Sequence, residues 1–415
     1  MFLYQLFLWL YPFLAKIITP FNDKAKHWVI GQKEVWDQIN ELSTQIKKPI
    51  IWIHCASYGE FEQGLPIIEQ LKIDYPNHQI WLTFFSPSGY QHRKNDPAVD
   101  FITYLPFDSA KNASRFLEII QPKLILFIKY EFWFYYLQAA KQKQIPTLLV
   151  SAIFRPGQIF FKWYGGFYKK MLALFSSILV QDKSSYDLVK KIASTINIKI
   201  TGDTRFDRVV KTAITASKFE WVQKLSADKM MIAGSTWKED HEMLAKAMVH
   251  FKKINWMIVP HHVDQNAINE CKANFPTAIT LTELQNSNQH FTSPTIIIID
   301  QIGLLRSLYQ YAFISYVGGA FGKEGVHNVL EPAAFGKPVI WGINDEKYIE
   351  AIGLRNALGG FTVKNATEFT TLVQKITMNE QLYLATCNHA AKFITEHAGA
   401  TEKTIDFIKE HSLLT

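Results

Sequence analysis

Cysteine is scarce: Cys55, Cys271 and Cys387 are the only three in 415 residues, far apart and in no CxxC pair. That excludes a disulfide framework and a thiolate zinc site, and it suits a reducing cytoplasm. Zinc-finger spacing and RNP-like motifs are absent, so nucleic acid is not an expected partner. No basic stretch precedes the first apolar run and no small-residue cleavage site follows it, which argues against a secretory signal. Internal repeats and low-complexity segments are also missing. Acidic residues are outnumbered, 37 against 44 basic, for a net charge of +7. An excess of this sign fits an anionic partner such as a phosphosugar, a nucleotide or an acidic membrane.

Hydrophobic residues make up 48% of the chain and charged ones 20%, the balance of a globular protein. The length suggests two domains or more. Residues Phe2–Phe21 are almost wholly apolar, interrupted by Gln5, Lys16 and Thr19, with Pro12 inside. Tyr4, Trp9 and Tyr11 favour a membrane interface, and the lysines that follow keep the next segment cytoplasmic. The expectation is an N-terminal anchor over 1–25, spanning the bilayer or lying in its interface, against the alternative of a soluble helix packed on the body.

From Pro49 short apolar strands alternate with amphipathic helices: Ile50–His54, Ile80–Phe84, Leu124–Ile128, Thr147–Ser151 and Ile178–Gln181 read as strands. The pattern restarts after Gly202 with Met230–Ala233, Trp256–Val259 and Thr295–Ile299. Such alternation predicts parallel sheets covered on both faces, hence two Rossmann-like, doubly wound α/β domains over 26–203 and 204–415 with an interdomain cleft. The last helices are free to pack back on the first domain.

Four stretches carry candidate chemistry. Val317–Gly342 reads as strand, Gly-rich turn, helix from near Asn328, and strand; its glycines open the backbone to a ligand, or Asn328 and Glu331 form a simple capping box. Ser57-Tyr58-Gly59-Glu60 follows the first strand, with Gly59 in a tight turn and Glu60 either a general base or a first-turn dipole partner. Ser235-Thr236 follows the first strand of the second domain, as phosphate ligand or N-cap. His261-His262 follow the next strand; lacking a third ligand with matching spacing, they suit hydrogen bonding to an anion better than a metal. In addition, Arg155–Lys170 interleaves basic and aromatic residues and reads as an exposed patch for an anionic lipid or headgroup.

Taken together, HCASYGE at His54–Glu60, YEFW at Tyr130–Trp133, TGDTRFD at Thr201–Asp207, AGSTW at Ala233–Trp237, PHH at Pro260–His262 and VGGAFGKEGVHNVLEPAAFGKPV resemble the Kdo transferases over nearly the whole chain. That resemblance implies a GT-B fold and an inverting, metal-independent transfer of 3-deoxy-D-manno-octulosonic acid from CMP-Kdo to the lipid A precursor, at the cytoplasmic face of the inner membrane. It implies Glu60 as general base. Ser235 and Thr236 would hold the CMP phosphate, and Asn328 and Glu331 the nucleotide. His261, His262 and His327 would complete the donor site, with Gly318, Gly319 and Gly325 letting the backbone approach it. Ser57, Gly59, Glu131, Arg155 and Arg205 would line the acceptor side. No cofactor is implied beyond the donor substrate.

The sequence departs from the family pattern at His261, where an arginine is usual, at Lys129 and Phe134-Tyr135 in the ExELWPN segment, and at Ser151-Ala152-Ile153, where Asn-Ala-Arg is usual. Two other readings stand beside this one: a GT-B transferase or epimerase using a UDP-sugar, and an inactive binding protein on the same fold.

Overall fold

A computed structural model describes residues 1–225, 229–287 and 294–414. It divides into two units, Met1–Arg208 with Ala398–Thr415, and Val209–His397. Each contains one seven-stranded sheet in which every pairing is parallel.

In the first unit the strands are β1 (Ile50–Cys55), β2 (Gln79–Phe84), β3 (Phe101–Tyr104), β4 (Pro122–Ile128), β5 (Thr147–Ala152), β6 (Ser177–Val180) and β7 (Asn197–Ile200), in the order β3-β2-β1-β4-β5-β6-β7. The order reverses between β1 and β4, and in an open parallel sheet a ligand crevice forms beyond the carboxyl ends of strands at such a switch point. Strand β1 reads IIWIHC and is buried along its full length, as a central strand covered on both faces must be. Ile51 and Ile53 pack into one core cluster, and Ile50 and Trp52 into another.

The second unit contains β8 (Met230–Thr236), β9 (Asn255–Pro260), β10 (Ile279–Thr280), β11 (Ile296–Ile298), β12 (Ile314–Val317), β13 (Val339–Trp341) and β14 (Gly360–Thr362), in the order β10-β11-β9-β8-β12-β13-β14. Its switch point lies between β8 and β12, the two strands that lead into Ser235 and into the Gly-rich turn.

Helix Glu380–His397 closes the second unit, and Gly399, at φ +98°, separates it from the last helix, Ala400–Glu410. That last helix belongs to the first unit. Its start is clamped by the Asp207 carboxylate, which accepts from Gly399 N at 2.5 Å and from Thr401 N and Oγ1, both at 2.6 Å. Ile405, Phe407 and Ile408 then enter the same core cluster as Ile51 and Leu126.

The N-terminal apolar stretch is one helix, Phe2–Ile18, with a short 3-10 turn to Phe21. By length and composition the Phe2–Phe21 segment is a candidate membrane span. One face is fixed to the first unit. Tyr4 is buried and donates to Asp108 Oδ2 at 2.6 Å while its oxygen accepts from Phe134 N at 3.1 Å. Tyr11 packs against Trp28, Phe85 and Phe107, and Ala15 joins that cluster. The opposite face presents Leu3, Trp9, Phe13 and Ile17, with Trp9 70% exposed.

The basic-aromatic segment differs from the sequence expectation. Trp163, at 93%, and Tyr164 are exposed, but Phe160 is buried and Phe161, Phe167 and Tyr168 pack on the core. Phe167 lies 5.5 Å from Tyr4, ring to ring. The interleaving arises because the short helix Gly166–Leu172 turns its aromatics inward and leaves only the preceding loop in water.

Candidate functional site

Glu60 sits in the first turn of helix Tyr58–Asp74, which leaves β1 directly. Ser57 is the N-cap residue; its hydroxyl donates to Glu60 Oε2 instead of accepting from the helix backbone. A carboxylate in a first turn is stabilised in its charged form by the free N–H groups there. Gly59 lies inside that first turn, where a side chain would only touch the Ser57 hydroxyl at 3.8 Å, so the tight turn expected at Gly59 is not present; the chain bends earlier, at Ala56-Ser57.

Beside Glu60 the ends of β4 and β5 bring in Tyr130, Glu131 and Arg155. Burial pushes the Tyr130 phenol up; Arg155 and Arg205 pull it back, while Glu60 and Asp182 push further. Glu60 and three of the residues expected on the acceptor side, Glu131, Arg155 and Arg205, are thus in one neighbourhood. Cys55 feels both carboxylates, and burial first, then Glu60 and Glu131, hold its thiol well above its usual range. Arg205 is tied back to Asp203 at 2.7 Å. Lys129, at φ +68°, carries the chain out of β4 in the left-handed region, and Ser151, at φ +54°, marks an irregularity near the end of β5.

Glu131 is held by a buried network that the sequence reading did not find. Trp52 Nε1 donates to Thr83 Oγ1 at 2.8 Å, and Thr83 Oγ1 lies 2.8 Å from His54 Nδ1. His54 Nε2 is 3.1 Å from Glu131 Oε2, which also accepts from Trp133 Nε1 at 2.8 Å. Trp133 Nε1 also lies 3.0 Å from His54 Nε2, so the indole, the imidazole and the carboxylate meet at one point. His54 and Trp133 stand in the quoted motifs, but only the sheet register, which sets His54 opposite Thr83, shows that they meet.

In the second unit, β8 ends at Ser235-Thr236. Ser235 adopts φ +52° and is partly accessible. Thr236 points the other way: it is buried, its hydroxyl 2.8 Å from His241 Nε2 and 3.4 Å from Val259 O. This corrects the expectation that both residues face the phosphate. The register against β9 shifts between Gly234 and Thr236, so Ser235 is the bulged residue and the more accessible of the two.

The Gly-rich turn after β12 also departs from expectation. A side chain at Gly318 would land 2.5 Å from Ser235 O, and one at Gly319, at φ +94°, would land 2.3 Å from Gly325 O. These positions are filled by the protein's own loops, so the glycines permit loop-on-loop packing. A single carboxylate joins the two loops. Asp240 Oδ2 accepts from Trp237 N and Gly319 N, both at 2.9 Å, and Oδ1 accepts from Tyr316 OH at 2.5 Å. Burial raises its pKa, and the three donors oppose that. Its spacing three residues after Trp237 is a capping signal that the sequence does carry.

The helix expected near Asn328 begins later and is short, Leu330–Ala334. Asn328 Oδ1 accepts from Leu330 N at 3.1 Å, and its Nδ2 donates to Glu331 Oε1 at 3.2 Å, so the reciprocal capping box is not formed. Glu331 also pairs with Arg306 at 3.3 Å.

Around this turn four rings gather. Trp237 stacks on His261 with centroids 4.8 Å apart, and His261 stacks on His327 at 4.5 Å; His262 meets the first two edge-on. Trp237 Nε1 donates to His327 Nε2 at 2.9 Å. Burial, then neighbouring His261, lowers the His327 pKa to about 4, and burial, then His262, lowers that of His261 against the pull of Glu324. Both rings are therefore neutral near pH 7. Among the described residues no three His, Cys, Asp or Glu side chains gather as a metal-binding set.

Two parallel doubly wound sheets, each with its polar residues beyond the strand ends at a switch point, define a GT-B fold. Solved structures agree on the fold. UDP-GlcNAc 2-epimerase from Neisseria meningitidis aligns over 87% of this chain and 100% of its own, at 15% identity and TM-score 0.62. A glycosyltransferase from Rickettsia africae ESF-5 covers 88% and 99%, at 14% identity and TM-score 0.54. The family model described as 3-Deoxy-D-manno-octulosonic-acid transferase (kdotransferase) matches residues 32–208. The 3-deoxy-D-manno-octulosonic acid transferase of Aquifex aeolicus (strain VF5) is 30% identical over 341 residues, 79% of this chain and 86% of that one. Its namesake from Haemophilus influenzae is 27% identical over 87% of each chain. The chain belongs to the 3-deoxy-D-manno-octulosonic acid transferase family, and is a glycosyltransferase.

Proposed function

We propose that the protein transfers Kdo from CMP-Kdo to a hydroxyl of the lipid A precursor, lipid IVA, in lipopolysaccharide core synthesis, with inversion at the anomeric carbon and Glu60 as general base. The observation that carries the proposal is the placement of Glu60. One of its oxygens is engaged by the Ser57 hydroxyl, the other is left for a substrate proton, and Arg155 and Arg205 lie in the same neighbourhood. As the acceptor oxygen attacks, its proton passes to Glu60 while the bond from Kdo to the CMP phosphate breaks. Charge builds on the departing phosphate, and N–H and O–H donors already in place stabilise it without reorganising. Ser235, the neutral imidazoles of His261 and His327, and the ring of His262 supply such donors in the second unit. CMP leaves as an anion stable at neutral pH, so the reaction makes no demand for a metal.

The test is a transfer assay with purified protein, CMP-Kdo generated in situ and tetra-acylated lipid A precursor in detergent, with chelator present. Mass spectrometry should show a gain of one Kdo unit or more, undiminished by the chelator. No gain from a folded protein with intact donor would overturn the reading, and stabilisation by UDP in place of CMP would move the donor to a UDP-sugar. Loss of transfer on chelation alone would overturn metal independence.

The same proposal places the protein on the cytoplasmic face of the inner membrane, with its N-terminal helix lying in the interface. The helix is held along the first unit through Tyr4, Tyr11 and Ala15, which turns only its other face outward. Upright insertion would pull Tyr4 from Asp108 and Tyr11 from its aromatic cluster. Replacing Leu3, Trp9 and Phe13 by serine should abolish flotation with anionic vesicles while leaving detergent-phase transfer nearly unchanged. Flotation equal to wild type would refute the anchor.

A further inference from the structure

Trp237 has no role in the reading above, yet it makes the one hydrogen bond that decides the protonation pattern of His327. An imidazole that is neutral carries its proton on one nitrogen, and the partner of the other nitrogen selects which. The indole N–H can only donate. At 2.9 Å from His327 Nε2 it therefore requires that nitrogen to be the acceptor and puts the proton on Nδ1. The geometry around the ring agrees. Gly319 abuts the Nε2 edge, where an added carbon would sit 2.9 Å from Cδ2 and 3.1 Å from Nε2. The opposite edge carries Nδ1, which has no hydrogen-bond partner among the described residues and is not sealed from solvent. Trp237 and His327 lie side by side, their planes within 6° of parallel and their centroids 6.3 Å apart, and His261 stacks across both. The backbone of His327 is fixed as well, its N–H donating to Gly318 O at 3.2 Å.

We propose that Trp237 is a positioning residue of the donor site: its indole N–H locks His327 as the Nδ1–H tautomer and, with His261 stacked across both rings, presents that N–H to an anionic oxygen of the sugar nucleotide. The inference rests on the donor reading given above. The oxygen belongs to the CMP phosphate or to the Kdo carboxylate; the chemistry of recognition is the same, and the ligand series separates them. A neutral donor here binds an anion by direction, without a fixed charge that would hold the released nucleotide as firmly as the substrate.

The experiment uses the full chain in detergent. Nitrogen-15 labelling of histidine, with the His327 signal assigned by its loss in His327→Asn, reads the tautomer; calorimetry reads the affinity for CMP and for cytidine. In the wild type His327 should be a pure Nδ1–H tautomer. Trp237→Phe keeps an aromatic ring against His261 and removes only the N–H. It should give a tautomer mixture and weaken CMP about tenfold, the scale of one charge-assisted hydrogen bond, while leaving cytidine unchanged. His327→Asn, whose amide N–H₂ can take the place of Nδ1–H, should retain most CMP affinity, and His327→Ala should lose it as Trp237→Phe does. If CMP is unaffected by Trp237→Phe but intact CMP-Kdo is weakened, the oxygen is the carboxylate. An Nε2–H tautomer in the wild type, or unchanged binding of both ligands by a folded Trp237→Phe, would overturn the inference. Absence of any CMP binding by the wild type would instead sink the donor reading, while the tautomer measurement would still decide the hydrogen bond.

Discussion

Glu60→Gln should leave a folded protein that binds CMP as the wild type does and turns over about 10²–10⁴-fold more slowly, the range expected for loss of a general base. The substitution is nearly isosteric. The amide oxygen still accepts from the Ser57 hydroxyl, so the first turn of helix Tyr58–Asp74 keeps its geometry. What is lost is the ability to take a proton. The donor-side groups Ser235, His261 and His327 belong to the second unit, so nucleotide affinity should not follow turnover down. Calorimetry with CMP and steady-state transfer on the same preparation separate the two quantities. Turnover within a few-fold of wild type would assign the base elsewhere, and Glu131, fixed by His54 and Trp133, would be the next carboxylate to test.

The second large effect should appear at Asp240. Asp240→Ala removes the acceptor of three hydrogen bonds, two of them buried, and leaves Trp237 N, Gly319 N and Tyr316 OH without that partner. Unsatisfied buried donors each carry a desolvation penalty, so a loss of about 3–5 kcal/mol of stability is expected. Asp240→Asn should behave very differently. Its one oxygen can take the place of Oδ2 and keep both backbone bonds, and its amide can donate to the Tyr316 oxygen, which only has to rotate its proton. A loss of about 1 kcal/mol is then expected. Urea unfolding followed by tryptophan fluorescence measures both, with CMP affinity falling in the alanine variant because the Ser235 loop and the Gly318-Gly319 turn are no longer joined. Equal destabilisation by the two substitutions would show that charge, not hydrogen-bond geometry, holds the loops.

The parallel sheets were legible because their central strands are continuous apolar runs bounded by turn residues. Val339–Trp341, stopped by Gly336-Lys337-Pro338 before it and Gly342 after it, reads directly from the sequence and is a strand with those bounds. The short outer strands were not legible. Phe101–Tyr104 and Gly360–Thr362 are four and three residues long, too few for a period to show, and Asn197–Ile200 is an edge strand with no buried residue. Among the site residues, the placement of Glu60 after β1 and of Ser235 after β8 followed from strand-to-helix order. The fate of Thr236 was not legible, because it follows from a bulge at Ser235 that breaks the alternation of β8. Asn328 and Glu331 misled because their spacing matches a capping box, while the helix actually starts at Leu330 and carries Pro332 in its first turn, a position where the missing N–H is tolerated. The networks around His54 and Asp240 join residues 29 to 79 positions apart, and no local pattern in the sequence reports contacts of that range.

The last helix gives the chain a schedule. Ile405, Phe407, Ile408 and Leu414 lie in the same buried cluster as Ile51, Ile53 and Leu126, and Asp207 has no other described partners than Gly399 and Thr401. A ribosome adding about 5–20 residues per second therefore makes the whole second unit, and many seconds pass, before the first unit receives the side chains that close its core. Until then the first-made half carries open apolar surface on one face of its sheet, in addition to an N-terminal helix that is itself apolar. A nascent chain in this condition is a client for chaperones, and a chain cut short before Ala398 is marked for removal by the surface it cannot cover.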